Sequence, residues 1–447
     1  MDRGNERKGL AEHWRILIAM GLATALAIGF RMVFGGPGSE AAQSGAWRTV
    51  LEISQFVGDL FIRALKMIIV PLIVTSVISG IAGLHGVEGF GRLGGKTVAF
   101  YLASSLAAIL VGLTMVNLIR PGLDSDGRPN AVIQAAFEQS AETADEADRA
   151  KVEQAGGRKT KDFFGVFKAM LPPNVIRAAA DNGQMLGVIV FSILFAVAIA
   201  RLPAEEMRTL REFFQAGNDV MILLTRWVMA TAPIGVFALL LPVIFQTGSK
   251  LFLNLGAYFG TVIAALAFHM LVTMPLVLRF IGRVNPWTHF RAMSEALMLA
   301  FSTASSSGTL PVTMRCVQEH SGVSKRVSSF TLPLGATVNM DGTALYECVA
   351  VIFVAQVMGI EMGFVQQFTV VAAALLTSIG VAGVPSASLV AILLILKNSG
   401  IHGAEAAVVT LLGVDRLLDM SRTAVNVFGD SCAAVVIAKS EGESVLE

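Results

Sequence analysis

The stretch DRLLDMSRTAVNVFGD, Asp415 to Asp430, decides how the rest of the chain is read. On an α-helix, Asp415, Asp419, Arg422, Thr423, Asn426 and Asp430 recur three or four residues apart and share one face. Apolar sequence encloses the stretch, AAVVTLLGV before it and CAAVVIA after it. A charged side chain at the centre of a bilayer costs about 2.5–3.5 kcal/mol on insertion scales. Three carboxylates and two guanidinium groups stay at that depth only if they meet one another, ions or a ligand. The stretch reads as a binding site for a small charged solute.

Composition agrees with membrane depth. Of 447 residues, 54% are hydrophobic and only 15% charged, and the mean hydropathy is +0.67. A soluble chain of this length needs more polar surface than this composition supplies, so an integral membrane protein is expected. The net charge of +1 gives no long-range pull on nucleic acid. The three cysteines, Cys316, Cys348 and Cys432, are far apart in apolar surroundings and read as packing residues. The polar start MDRGNERKGLAEHWR leads into a run long enough to remain as an anchor, so no cleavable signal is expected.

A membrane-spanning helix needs roughly 20 apolar residues. Candidates run from Arg15 to Phe34, Leu51 to Leu84, Thr97 to Ile119, Phe163 to Leu202, Phe213 to Phe245 and Leu251 to Phe280. Their excess length predicts tilted helices, or helices broken at Pro71, Pro172–Pro173 and Pro233. The polar segment between Pro121 and Lys161 reads as a solvated insertion. GRLGGKT, Gly91 to Thr97, lacks the first P-loop glycine, because Phe90 stands there, and is not a phosphate site.

Lysine and arginine placement sets the topology. Arg3, Arg7, Lys8 and Arg15 put the N-terminus in the cytoplasm. Arg92 with Lys96, then Arg201, Arg208 and Arg211, then Arg279, Arg283 and Arg291 mark later inside loops. If Ala292 to Met314 were one span, Arg315, Lys325 and Arg326 would lie outside. A re-entrant hairpin over residues 290–318, broken at SSSGTLP, removes the conflict. A second, over 365–398, is broken at SIGVAGVPSAS and enters from the opposite side. Each hairpin precedes a long helix with polar residues at mid-depth, which makes an inverted repeat. Irregular backbone at membrane depth persists only where protein or a cavity surrounds it. Such repeats place substrate and coupling ions between broken elements near the midplane.

In PLGATVNMDGTALYE, Gly335 and Gly342 favour a break in the helix that bears Asn339, Asp341, Thr343 and Glu347. Buried Asp341 and Asp430 need a neutralising partner. Oxygen donors without His or Cys favour an alkali cation over a transition metal. Hydrogen bonding between helices is the simpler alternative for these polar residues.

Four motifs in one order, SSSGTLP (Ser305 to Pro311), NMDGT (Asn339 to Thr343), AGVP (Ala382 to Pro385) and the Asp415–Asp430 pattern, resemble the dicarboxylate/amino acid:cation symporter family. That family includes archaeal aspartate transporters and animal excitatory amino acid transporters, and the resemblance extends from Met67 to the C-terminus. It implies an all-α polytopic membrane protein with about eight transmembrane helices plus two re-entrant helical hairpins, inverted repeats, an elevator mechanism and a homotrimer. Scaffold helices would occupy 14–84 and, with the trimer contact, 162–245. A transport-domain helix would occupy 92–119, the polar insertion 120–161, and the transport domain proper 251–439.

The resemblance also implies roles. Ser305, Ser306 and Asn426 would receive the backbone carboxylate of an acidic amino acid, Asp419 its ammonium and Arg422 its side-chain carboxylate. Thr343, Thr423, Val384 and Pro385 would close the pocket. Sodium would be held at Gly335, Asn339, Asn426 and Asp430, at carbonyls of Thr337, Ser378, Ile379 and Val381, and at Tyr101, Ser104, Ser105, Asn339 and Asp341. By sequence alone, Tyr101 and the two serines are only a polar patch. Glu347 matches the position thought to carry a proton in animal members, and a buried carboxyl suits that task.

The resemblance thus implies import of aspartate or glutamate with Na+, H+ being a second candidate, and no enzyme activity or bound cofactor. The setting would be a cell membrane, the inner one in a double-membraned cell, with both termini cytoplasmic. A carrier of C4-dicarboxylates or neutral amino acids is the alternative within the family. Two departures stand out. Archaeal members have arginine where this chain has Ala304, and animal members where it has Met420, which leaves Arg416 as the candidate to compensate near Asp419. Rival classes fare worse. An intramembrane aspartyl protease does not explain Arg422 one turn from Asp419, a serine protease using Ser307–Gly308 lacks a convincing mid-membrane histidine, and a pure channel does not need the repeat. The six histidines, scattered along the chain, receive no role.

Overall fold

Long apolar runs with few breakers fold as helices, because lipid offers no partner for an unpaired amide. The computed structural model describes residues 12–35, 39, 45–82, 88–135, 137, 170–180, 185–246, 255–380, 387–398, 401 and 404–446. Among these, regular structure is helical, and the only strand-like pairing is the bridge between Leu123 and Pro129.

The first part of the chain forms α1 (Glu12–Phe34), α2 (Gly45–Ala82), α3 (Glu88–Ile119), the short α4 (Val175–Ala180), α5 (Met185–Ile199), α6 (Ala204–Ala230) and α7 (Ala232–Gln246). α2 passes through Pro71 without a break, and Thr75 Oγ1 donates to the Pro71 carbonyl at 2.7 Å. The expected interruption comes instead beside Pro233, where α6 and α7 meet at 55°. α2 packs against α5, α6 and α7, and α1 lies on α7. Trp14–Val33, Trp47–Ser79, Gly91–Ile119, Gly256–Phe280 and Lys325–Val357 are each long and apolar enough to cross a bilayer, and the bent α6–α7 pair makes a further span. Phe56, Met67, Trp227 and Phe280 are exposed on the outside of the bundle, as a hydrocarbon solvent requires. The chain is a polytopic, all-helical membrane protein.

The supposed insertion is not wholly solvated. Its start folds onto the helix that ends at Val357, with Gly122 N–H donating to Gln356 Oε1 at 3.1 Å and Gln134 Nε2 to the Val357 carbonyl at 2.7 Å. Ile133 and Phe137 are buried there. Residues 138–161 lie outside the described residues.

The second part contains α8 (Gly256–Phe268), a π-helical turn (His269–Thr273), α9 (Met274–Phe280), α10 (Pro286–Thr303), α11 (Ser306–Arg315) and a second π turn (Cys316–His320). Then come α12 (Lys325–Val338), α13 (Asp341–Val357), α14 (Phe364–Gly380), α15 (Ala387–Asn398) and α16 (Ala404–Ser440). α10 and α11 are the arms of the first hairpin. Asn285 caps α10 through the Trp287 amide at 3.0 Å. Ala304 turns the chain with φ 49° and ψ 41°, and Ser305 caps α11 through the Gly308 amide at 3.1 Å. The break therefore lies at Ala304–Ser305, ahead of the glycine and proline in SSSGTLP. Glu295 and Arg315 form a buried ion pair, which fixes α11 running back alongside α10.

α12 and α13 are one span broken at Asn339 (ψ 76°) and Met340 (ψ 62°), between the two glycines that suggested it. Protein surrounds this break, since Asn339 and Met340 are both buried. α14 and α15 flank the second hairpin tip. Residues 381–386 at that tip, with Val381, Val384 and Pro385, lie outside the described residues, and so does the Ile379 side chain. α16 runs past both hairpins and packs against α10, α12, α13 and α15.

One end of the bundle gathers charge. Glu441, just beyond α16, accepts from Arg92 Nη2 at 2.9 Å, Lys96 Nζ at 2.6 Å and Arg326 Nη2 at 2.9 Å. Burial pushes the Glu441 carboxyl up, but hydrogen bonds from Lys96 and Arg92 outweigh it and hold it at about 2. Residues assigned to inside loops by charge alone thus meet at one end.

Candidate functional site

α16 presents its polar face toward the break between α12 and α13. Arg422 is fully buried, and its Nη2 donates to Asp419 Oδ1 at 2.9 Å and Asp415 Oδ1 at 3.1 Å. The guanidinium carbon lies 3.8 Å from the centre of the Tyr346 ring, a cation–π contact that a desolvated site strengthens. Among the described residues, Arg422 Nε and Nη1 have no hydrogen-bond partner. A buried guanidinium with idle donors is costly, and a carboxylate can occupy that fork through two charge-assisted hydrogen bonds.

The rest of the expected pocket stands one turn further along. Asn426 Oδ1 accepts from the Gly342 amide at 2.7 Å, and its Nδ2 donates to Thr343 Oγ1 at 3.2 Å. The first turn of α13, which has no capping side chain of its own, is thus capped from α16. Gly342 is required by close approach: a Cβ there would stand 2.7 Å from the Arg422 carbonyl oxygen. Thr423 Oγ1 donates to the Asp419 carbonyl at 2.8 Å. Ser306 is buried at the start of α11, whereas Ser305 uses its hydroxyl as the cap. Asp419 is paired with Arg422 on α16 itself.

A second polar cluster lies two turns deeper. Arg422 and Asp430 are eight residues apart on α16, roughly 12 Å along the axis. Asn339 Nδ2 donates to Asp430 Oδ1 at 2.9 Å. Ser104 Oγ reaches Asn339 Oδ1 at 3.0 Å and Asp341 Oδ1 at 3.1 Å, and Ser105 Oγ reaches Asp341 Oδ1 at 2.7 Å. Tyr101 donates to the Thr331 carbonyl at 2.6 Å, and Gly335 lies against both Tyr101 and Asp430. Asn339, Asp341 and Asp430 are buried, with no lysine or arginine in these hydrogen bonds. Two carboxylates and neutral oxygens fit a hard monovalent cation. The polar patch on α3 thereby joins the cluster.

Thr337 and Ser378 direct their hydroxyls to carbonyls of their own helices, at 3.0 Å to Leu334 and 3.0 Å to Leu375. Glu347 is fully buried on α13; its Oε2 accepts from Thr377 Oγ1 at 2.7 Å and its Oε1 has no partner among the described residues. It therefore connects α13 to α14, one arm of the second hairpin.

Sequence reasoning missed two histidines. His289 bridges Ser431 Oγ (2.9 Å) and Ser321 Oγ (3.3 Å). His269 lies 3.4 Å from Asp341 Oδ2. The available signal for His269 was its isolation in the apolar run ALAFHMLVTMPL.

Comparison with known proteins bears on this arrangement. A family model described as the sodium:dicarboxylate symporter family matches residues 13–440. Excitatory amino acid transporter 3 of Mus musculus is 32% identical over 465 residues, covering 97% of this chain and 86% of the relative. The proton/glutamate-aspartate symporter of Escherichia coli (strain K12) is 34% identical over 428 residues, covering 96% and 92%. An excitatory amino acid transporter of Caenorhabditis elegans is 35% identical over 412 residues, covering 86% and 80%.

Proposed function

Because the chain belongs to the sodium:dicarboxylate symporter family, we propose that it imports an acidic amino acid, aspartate or glutamate, in symport with sodium, a proton being the second candidate. The observation that carries this reading is the buried Arg422 fork, with Nε and Nη1 idle beside Asp419. An acidic amino acid offers two carboxylates and one ammonium. Arg422 takes the side-chain carboxylate, Ser306 and Asn426 take the backbone carboxylate, and Asp419 takes the ammonium. Thr343, Thr423 and the second hairpin tip, with Val384 and Pro385, close the pocket. A C4-dicarboxylate has no group for Asp419, and a neutral amino acid leaves Arg422 unmatched.

Sodium is the coupling ion at the two carboxylate clusters around Asp341 and Asp430. Gly335 and Asn426 complete the cluster at Asp430, and Tyr101, Ser104, Ser105 and Asn339 the one at Asp341. Carbonyls of Thr337, Ser378, Ile379 and Val381 serve a further ion. Glu347 is the proton candidate, since its carboxyl is buried with one oxygen unpartnered. The names of the mouse and Escherichia coli relatives support the substrate class and, for the latter, proton coupling.

Alternating access proceeds by an elevator movement within a homotrimer of about eight spanning helices per chain. Half-exposed ion pairs join α6 to the hairpin side: Lys325 to Asp219 at 2.8 Å, and Arg226 to Glu319. Such pairs contribute only about 0–1 kcal/mol each, which suits a face that slides. Both termini lie in the cytoplasm, in keeping with the Glu441 cluster.

Counterflow of labelled aspartate into proteoliposomes, under imposed sodium and pH gradients, tests the proposal. Saturable uptake that glutamate inhibits and succinate does not is expected. Uptake of succinate with indifference to aspartate would favour the dicarboxylate reading.

A further inference from the structure

The helix entered at Gly256 does not continue as an α-helix through the membrane. It widens into a π turn at His269–Thr273 before α9. π turns inside α-helices are less stable than the helix they interrupt and are found mostly at functional sites. The extra residue rotates α9 by about 100° relative to an unbroken helix. Leu271 and Val272 on this turn face outward, while His269, which opens it, is completely buried.

His269 meets the polar cluster at the Asp341 oxygen that the α3 serines leave open. Its Nε2 lies 3.4 Å from Asp341 Oδ2, and its buried Nδ1 has no partner among the described residues. The carboxylate lies at Nε2, so Nε2 carries the proton that is donated to it. Asp341 Oδ1 receives Ser104 and Ser105 on the other side, at 3.1 and 2.7 Å. The carboxylate is thus held at both oxygens by groups from two different helices. An arginine or lysine in place of His269 would orient Asp341 equally well, but its charge would take the place of the cation.

We propose that His269 is a positioning residue for the cation cluster: donating from Nε2 to Asp341 Oδ2, it aims Oδ1 into the space shared with Ser104, Ser105 and Asn339 where an alkali cation binds. The proposal rests on sodium being the coupling ion and adds a residue that touches the ligand carboxylate but not the ion. Long as it is, the contact governs orientation, and partners of this kind set metal affinity through the ligand they hold.

The test is binding of labelled aspartate by the purified full-length protein, titrated with sodium chloride while choline chloride keeps ionic strength constant. His269→Leu removes the donor at similar volume, and His269→Gln restores an N–H. His269→Leu is expected to raise half-saturating sodium about tenfold or more, with His269→Gln within about threefold of the natural chain, and with maximal aspartate binding preserved at high sodium. A merely structural histidine would instead lower the amount of folded protein in both variants and leave the sodium midpoint in place. Unaltered half-saturating sodium in folded His269→Leu overturns the proposal.

A second measurement needs no variant that must fold well. In ¹⁵N-histidine-labelled natural protein, the His269 resonance is expected to report the Nε2–H tautomer and to move as sodium is added. A resonance indifferent to sodium, in protein whose aspartate binding requires sodium, overturns the proposal alone. Aspartate binding that ignores sodium altogether overturns the sodium reading, and this proposal with it.

Discussion

Gly342→Ala places a methyl group where α13 and α16 touch. The new Cβ would stand 2.7 Å from the Arg422 carbonyl oxygen, 3.1 Å from its Cα and 3.2 Å from its carbonyl carbon. All three atoms are backbone, so no side chain can swing aside. Reaching an ordinary contact of about 3.5 Å requires the helices to part by roughly 0.8 Å. The same movement stretches the 2.7 Å bond from the Gly342 amide to Asn426 Oδ1 toward the limit of hydrogen bonding. Overpacking costs about 1–3 kcal/mol, and leaving the buried amide unsatisfied about another 1–3 kcal/mol. The helix carrying Arg422 and Asn426 moves with it. Loss of one charge-assisted hydrogen bond to substrate, about 1.5–3 kcal/mol, weakens aspartate binding by roughly tenfold or more. Thermal unfolding and aspartate calorimetry on purified protein measure both effects. Gly260→Ala, on α8 with no atom within 4 Å of the new Cβ, is the control. If Gly342→Ala melts and binds like Gly260→Ala, the close packing of α13 on α16 does not hold the site together.

The remaining predictions concern titrating groups. Glu347→Gln is expected to retain sodium-dependent aspartate uptake and to abolish its dependence on a pH gradient; pH dependence unchanged from the natural chain would remove Glu347 as the proton carrier. The Glu441 carboxyl lies at about 2, below its ordinary value of 4.5. Its contribution to stability is therefore complete above about pH 4.5 and is lost as pH falls toward about 2. Melting of the natural chain should accordingly exceed that of Glu441→Gln at pH 6 by a margin that shrinks on acidification, and a constant margin would contradict the clustered-charge account.

How much of this was legible beforehand differs from residue to residue. The face of α16 came from three- and four-residue spacing, because helical periodicity depends on neighbours in sequence. The first hairpin came from charge parity, since Arg291 and Arg315 could not both be inside unless the chain turned back between them. The break in the α12–α13 span fell between Gly335 and Gly342, where the loss of helical propensity pointed. Choices among competing partners were not legible. Spacing puts Asp415, Asp419 and Arg422 together, but not that Nη2 holds both carboxylates while the ring of Tyr346 supports the guanidinium. Ser305 and Ser306 are equivalent in sequence until the chain turns at Ala304 and commits Ser305 to capping. His269 depends on a π turn, which leaves no periodic trace, and on Asp341 seventy-two residues away.

Calorimetric titration of the natural protein and Arg422→Cys with L-aspartate, in sodium chloride and in choline chloride, tests the central claim most directly. The account predicts saturable heat for the natural chain in sodium only, and none for Arg422→Cys. Aspartate affinity in Arg422→Cys equal to that of the natural chain would contradict it.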